Sequence, residues 1–166
     1  MAIEDYAMIS NCRVCALVDR VGTIAWLCLP EPHSPPLFWS LLDEENGGRW
    51  RMGPTKVRST SRRYLPETMA LETTIESEEG VARLTDRFQL TPPGRRTALV
   101  PDHELTRRID CVQGRVELAV DFEPKPGFGL HSPRITAQRQ PGFGLCAGRH
   151  SAAISSDLPL RIDGDR

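Results

Sequence analysis

Lysine is nearly absent from this chain: of 21 basic residues, only Lys56 and Lys125 are lysines. That reads first as coding bias and second as a preference for arginine's bidentate pairing. Net charge is nearly absent too, at −1. A chain without a field of one sign is a poor match for nucleic acid or an anionic membrane. No apolar run is long enough to span a bilayer. The first ten residues hold no basic stretch, apolar core or cleavage signature of a secretory leader, so a cytoplasmic protein is expected. Five cysteines at irregular spacing do not make a disulfide framework. Phosphate loops, dinucleotide fingerprints and nucleophile elbows are all missing. So is any sustained helical periodicity.

What remains is a chain rich in turns. Fourteen prolines and thirteen glycines punctuate short β-type runs in 166 residues. The length makes one domain the default, and the 39% hydrophobic content supplies a core. Cys12–Val18 and Thr23–Leu29 read as a hairpin about Asp19-Arg20-Val21-Gly22. On strict alternation Ile24, Trp26 and Cys28 share one face, and Ala25, Leu27 and Leu29 the other. Both faces are apolar, so cover is expected on both sides. A proline-rich loop follows. Ser34 as N-cap and Pro35 or Pro36 in the first turn predict one short helix over 37–42.

Further strands are expected at 49–52, 57–64 (polar, an edge), 68–75 and 81–90. In the third of these, Met69, Leu71, Thr73 and Ile75 line one face. Residues 91–102 read as a Pro/Gly/Arg loop. Gln113-Gly114 predicts a two-residue hairpin joining strands at 103–112 and 115–122. The string PGFGL occurs at 126–130 and again at 141–145, read as two similar glycine-bounded turns. A last strand is expected at 152–162. Eight or nine short strands at regular spacing predict an all-β antiparallel sandwich.

Chemistry-bearing residues are scattered. Cys12 and Cys15, with Cys28 and His33 downstream, have the look of a zinc site. On one strand, however, Cys12 and Cys15 would point to opposite faces, which favours structural thiols over a metal or redox pair. Glu44-Glu45 and Glu78-Glu79 sit in expected turns, where solvation is the default. Glycosidic hydrolysis takes two carboxyls opposed across a sugar, and nothing in the spacing specifies such a pair. Trp26, Phe38, Trp39 and Trp50 read either as a sugar-stacking platform or, the preferred reading, as core or interdomain packing.

The order NCR-x-x-ALV, G-x-I-x-WLCLP, SP-x-x-F-x-x-LLD, GG-x-W closely resembles the N-terminal region of glycoside hydrolase family 15. That is the glucoamylase-like group with bacterial and archaeal trehalases. The likeness runs on through RRYLPETMALETTIESEEGVARLTD, GRVEL, FEP and SDLPL, over nearly the whole chain. It implies a β-sandwich of the supersandwich kind, C-terminally incomplete over 1–166. It also implies a larger (α/α)6-barrel elsewhere, carrying the two catalytic glutamates of an inverting hydrolysis of α-glucosidic bonds. By the resemblance this chain is an accessory domain with no catalytic residue, cofactor or metal of its own. Its partner would be that barrel, in cis or in trans, and the sugar trehalose or an α-glucan. A stand-alone carbohydrate-binding sandwich and an inactive gene fragment are the alternatives. The sequence departs from the family at Ala25, where aspartate is usual, and at Glu31-Pro32-His33-Ser34-Pro35, where Phe-Asp-Ser-Pro is usual. Gly127-Phe128-Gly129 stands where Tyr-Gly-Arg is common. Trp26, His33, Ser34, Phe38 and Trp39 are the candidate interdomain or substrate-proximal residues.

Overall fold

The computed structural model describes residues 2–90, 103–137, 142–148, 150–159 and 161. The expected 91–102 loop lies outside them. The described residues form thirteen strands in three antiparallel sheets, with a single 3-10 turn at Ile3–Asp5. None of the sheets closes into a barrel.

The first sheet holds β1 (Ala7–Ser10), β2 (Cys15–Val18), β3 (Ile24–Cys28), β5 (Arg49–Pro54) and β10 (Leu118–Glu123) in that order, with β4 (Pro36–Phe38) also paired to β3. The second runs β6 (Ser59–Tyr64), β7 (Leu71–Glu76), β8 (Gly80–Phe88), β9 (Leu105–Gly114). The third is β11 (Arg134–Ala137), β12 (Gly142–Ala147), β13 (His150–Ser155). Ile9, Ala16, Val18, Ile24 and Leu27 of the first sheet pack with Leu71 and Phe88 of the second. That buried layer is the core of the sandwich. The polar strand expected at 57–64 is indeed an edge, as β6.

Local chemistry sets the turns. Between β2 and β3, Asp19 Oδ1 accepts from the amides of Val21 (2.9 Å) and Thr23 (2.7 Å), and Gly22 takes φ +84°. A side chain acting as a backbone mimic is what aspartate does in tight turns. Asn11 does the same for the amides of Arg13 and Val14, both at 3.1 Å. Cys12 sits in that turn at φ +67°, outside β2, so the strand expected from residue 12 starts at Cys15.

Five further expectations are corrected. Residues 37–42 are not helical. Phe38 pairs with Leu27 and Pro36 with Cys28, and turns follow, closed by Trp39 N–H to the Gly47 carbonyl at 2.7 Å. A six-residue helix cannot stand without tertiary support, and burying Phe38 in the strand wins. In β3, Val18 faces Ile24 and Leu17 faces Trp26, leaving Ala25 as a bulge. The extra residue turns Ile24 to the side of Leu27, against strict alternation.

Third, Gln113-Gly114 does not close a hairpin. β9 pairs with β8 up to Gly80↔Gly114, and the chain then crosses to the other sheet, where β10 pairs with β5. There Phe122 packs against the sandwich core. Fourth, Met69 precedes β7 and is exposed, whereas Leu71, Thr73 and Ile75 are buried. Fifth, the two PGFGL strings differ. In the first, Gly127, Phe128 and Gly129 all take positive φ (61°, 59° and 76°) in a turn. In the second, residues 142–145 belong to β12, where Gly142 pairs with β13 and residues 143–145 pair on both sides.

Candidate functional site

An open cleft of about 740 Å³ lies between the sandwich and the third sheet. Its floor includes Leu37, Phe38, Trp50 and Phe122; Leu145 and Ile154 of the third sheet form the far wall. The floor is an aromatic row. Phe38 and Phe122 meet edge to face at 5.4 Å and 89°, and Phe122 and Trp50 likewise at 5.4 Å and 87°. This is the arrangement that ring quadrupoles favour.

The loop 29–36 forms one rim of the cleft through Leu29, Pro30, Pro35 and Pro36. Ser34 is half-buried there. Its Oγ accepts from the Glu31 amide (3.2 Å), and its own amide donates to the Glu31 carbonyl (2.9 Å). His33 is exposed, with Nε2 3.1 Å from Glu31 Oε2.

Trp39 is half-buried. Its indole N–H donates to the Lys125 carbonyl at 3.0 Å, and its ring meets Phe128 at 5.6 Å. Phe128 is 50% exposed despite its left-handed backbone. Trp26 faces Leu17 across the hairpin and has no ring contact with these aromatics among the described residues. The structure therefore brings Phe38 and Trp50 together through Phe122, and Trp39 to Phe128, and leaves Trp26 apart. Phe122 and Phe128 were missed as site residues. Phe122 could have been found only by knowing that β10 leaves the sheet of β9.

The cleft is short of reactive groups. Among the described residues Glu104 is its one carboxylate, beside His103. Inverting glycosidic hydrolysis needs two carboxyls about 6.5–9.5 Å apart on either side of the sugar. No group of three or more His, Cys, Asp or Glu residues able to hold a metal occurs among the described residues. All five cysteines are free thiols. Burial, assisted by nearby Cys15, pushes the Cys28 thiol up. No described helix is long and apolar enough to cross a membrane.

Residues 1–156 match the family described as trehalase-like, N-terminal. The chain belongs to that family. Among curated relatives, the trehalase of Mycolicibacterium smegmatis is 34% identical over 96% of this chain and 25% of its own length. The trehalase of Mycobacterium tuberculosis is 36% identical over 78% of this chain and 20% of its own. That of Thermoplasma volcanium is 29% identical over 99% of this chain and 26% of its own. This trehalase-like N-terminal chain thus spans about a quarter of the length of the curated relatives it matches. No solved structure gives a significant match.

Proposed function

We propose that this chain is the accessory sandwich of a trehalase-type glycoside hydrolase. It packs against a catalytic domain and shapes that domain's sugar entrance, with trehalose or a short α-glucan as substrate. The observation that carries the reading is the match of residues 1–156 to the trehalase-like N-terminal family, beside relatives about four times as long that are named trehalases. The cleft supports it, because a mostly apolar hollow with one carboxylate suits packing and positioning better than acid–base work. His33, Ser34 and Trp39 are the loop residues we assign to the partner-facing rim, with Phe38 holding the rim from beneath and Trp26 on the neighbouring face.

Glucose release tests this. The purified chain should not hydrolyse trehalose or maltooligosaccharides. Mixed with the remaining three quarters of the Mycolicibacterium trehalase expressed separately, it should raise that fragment's turnover. Robust turnover by the chain alone would sink the proposal.

A further inference from the structure

The β2–β3 hairpin carries two thiols that no part of the proposed function uses. Ala16 faces Leu27, and both turn into the core. The paired register ends there; extending it by one antiparallel step brings Cys15 opposite Cys28, on the side away from the core that Leu17 and Trp26 share. Directly opposed residues in an antiparallel pair have Cα atoms about 4.5–5.5 Å apart. That lies inside the span of about 4.4–6.8 Å that a disulfide bridges. Cys15 is half-buried and within reach of a small reagent, while Cys28 is buried. The other three cysteines are exposed, and Cys12 stands in the turn before β2.

We propose that Cys15 and Cys28 are a thiol pair that closes to a cross-strand disulfide on exposure to a low-molecular-weight disulfide. Cys15 is the attacking thiol and Cys28 the resolving one. The Cys15 thiolate attacks one sulfur of the reagent, forming a mixed disulfide and releasing one thiolate. Cys28 then gives up its proton and attacks the Cys15 sulfur, expelling the second thiolate. Two protein thiols are oxidised, one small disulfide is reduced to two thiols, and the two cysteine protons end on those thiols. Because burial holds the Cys28 thiol protonated, the second step is the slow one and quickens as pH rises.

The test treats the full chain carrying Cys12→Ser, Cys111→Ser and Cys146→Ser with oxidised glutathione. It alkylates any remaining thiols in denaturant and maps the peptides by mass. The expected product has lost two hydrogens, links the Cys15 and Cys28 peptides, and takes up no alkylating agent. Its melting temperature should rise by several degrees, and the closing rate should climb about tenfold per pH unit below the thiol's pKa. Cys15→Ser in the same background should leave Cys28 reduced at all times. A glutathione adduct that stays on Cys15 while Cys28 remains alkylatable overturns the proposal, as does a link between two molecules. If the triple variant misfolds, the same peptide map on the wild-type chain decides between the same outcomes.

Discussion

Arg107 and Asp86 face each other across β8 and β9, and the guanidinium grips the carboxylate with both arms: Nε to Oδ1 at 2.9 Å and Nη2 to Oδ2 at 3.1 Å. Neither side chain meets solvent, at 1% and 0% exposure. The same guanidinium reaches out of its own sheet. It donates to the Trp50 carbonyl on β5 (2.6 Å) and to the Gly22 carbonyl in the β2–β3 turn, and it stacks 5.1 Å from the Trp50 ring centre. One side chain thus ties both layers of the sandwich beside the aromatic floor of the cleft.

Breaking the pair from one side should be costly. Arg107→Met leaves a charged Asp86 buried without a partner, and the expected loss is about 3–5 kcal/mol in urea unfolding. Replacing both residues with apolar ones should recover much of that loss. A double variant no more stable than the single would show that the bonds to Gly22 and Trp50 matter more than the charge.

The loss should also depend on pH. Burial pushes the Asp86 carboxyl up, while Arg107 pulls it down. A carboxyl raised in the folded state costs nothing below its unfolded value, and the cost grows as pH rises through the folded value. Without Arg107 the upward push stands unopposed. The Arg107→Met deficit should therefore be smallest below about pH 4 and widen towards neutrality. A deficit constant across that window would count against it.

Phe38 and Trp39 are adjacent but should behave differently. Phe38 is fully buried in the core and against Phe122, so Phe38→Ala should cost about 3–5 kcal/mol. Trp39→Ala removes a half-buried ring with one hydrogen bond, so it should cost clearly less and act mainly on the partner's turnover. Equal losses of stability would remove Trp39 from the candidate rim.

Tyr64 guards an open edge. Its hydroxyl accepts from the Met8 amide (3.1 Å) and donates to the Met8 carbonyl (2.8 Å), covering outward-facing groups of edge strand β1. Tyr64→Phe should cost about 0.5–1.5 kcal/mol. It should also raise concentration-dependent association, seen by light scattering, because an uncovered edge recruits strands. Unchanged scattering would assign Tyr64 to stability alone.

Gly22 is needed for two reasons. Its φ is +84°, and a Cβ there would stand 2.6 Å from Leu84 Cδ2. The backbone term alone predicts about 1–2 kcal/mol for Gly22→Ala. The displaced turn should also loosen the Arg107 bond to the Gly22 carbonyl. A loss no larger than the backbone term would show that Leu84 yields freely, and a neutral melt would show that the turn relaxes out of its left-handed backbone.

The legible parts of this fold were those governed by neighbours in sequence. Alternation and turn residues located β3, β7 and β8 and the all-β class. Where distant segments decide, neighbours in sequence carry no signal. Ala25 carries no mark of a bulge, and nothing at Gln113-Gly114 says that residues 115–117 change sheets. LFWSLL has the composition of a helix, yet burial of Phe38 against Phe122, far along the chain, draws its start into a strand. The rim residues around 30–39 were visible as an unusual proline and tryptophan cluster. The opposite wall, made by Leu145 and Ile154, had no signal beyond a short apolar run.

The two copies of PGFGL are spelled alike, so exchanging one for the other would leave the protein letter for letter unchanged. Yet glycines 127 and 129 bend while glycines 142 and 144 lie straight. The shape of each copy is therefore dictated by its surroundings, and an engineer wishing to straighten the first would have to rewrite its flanks.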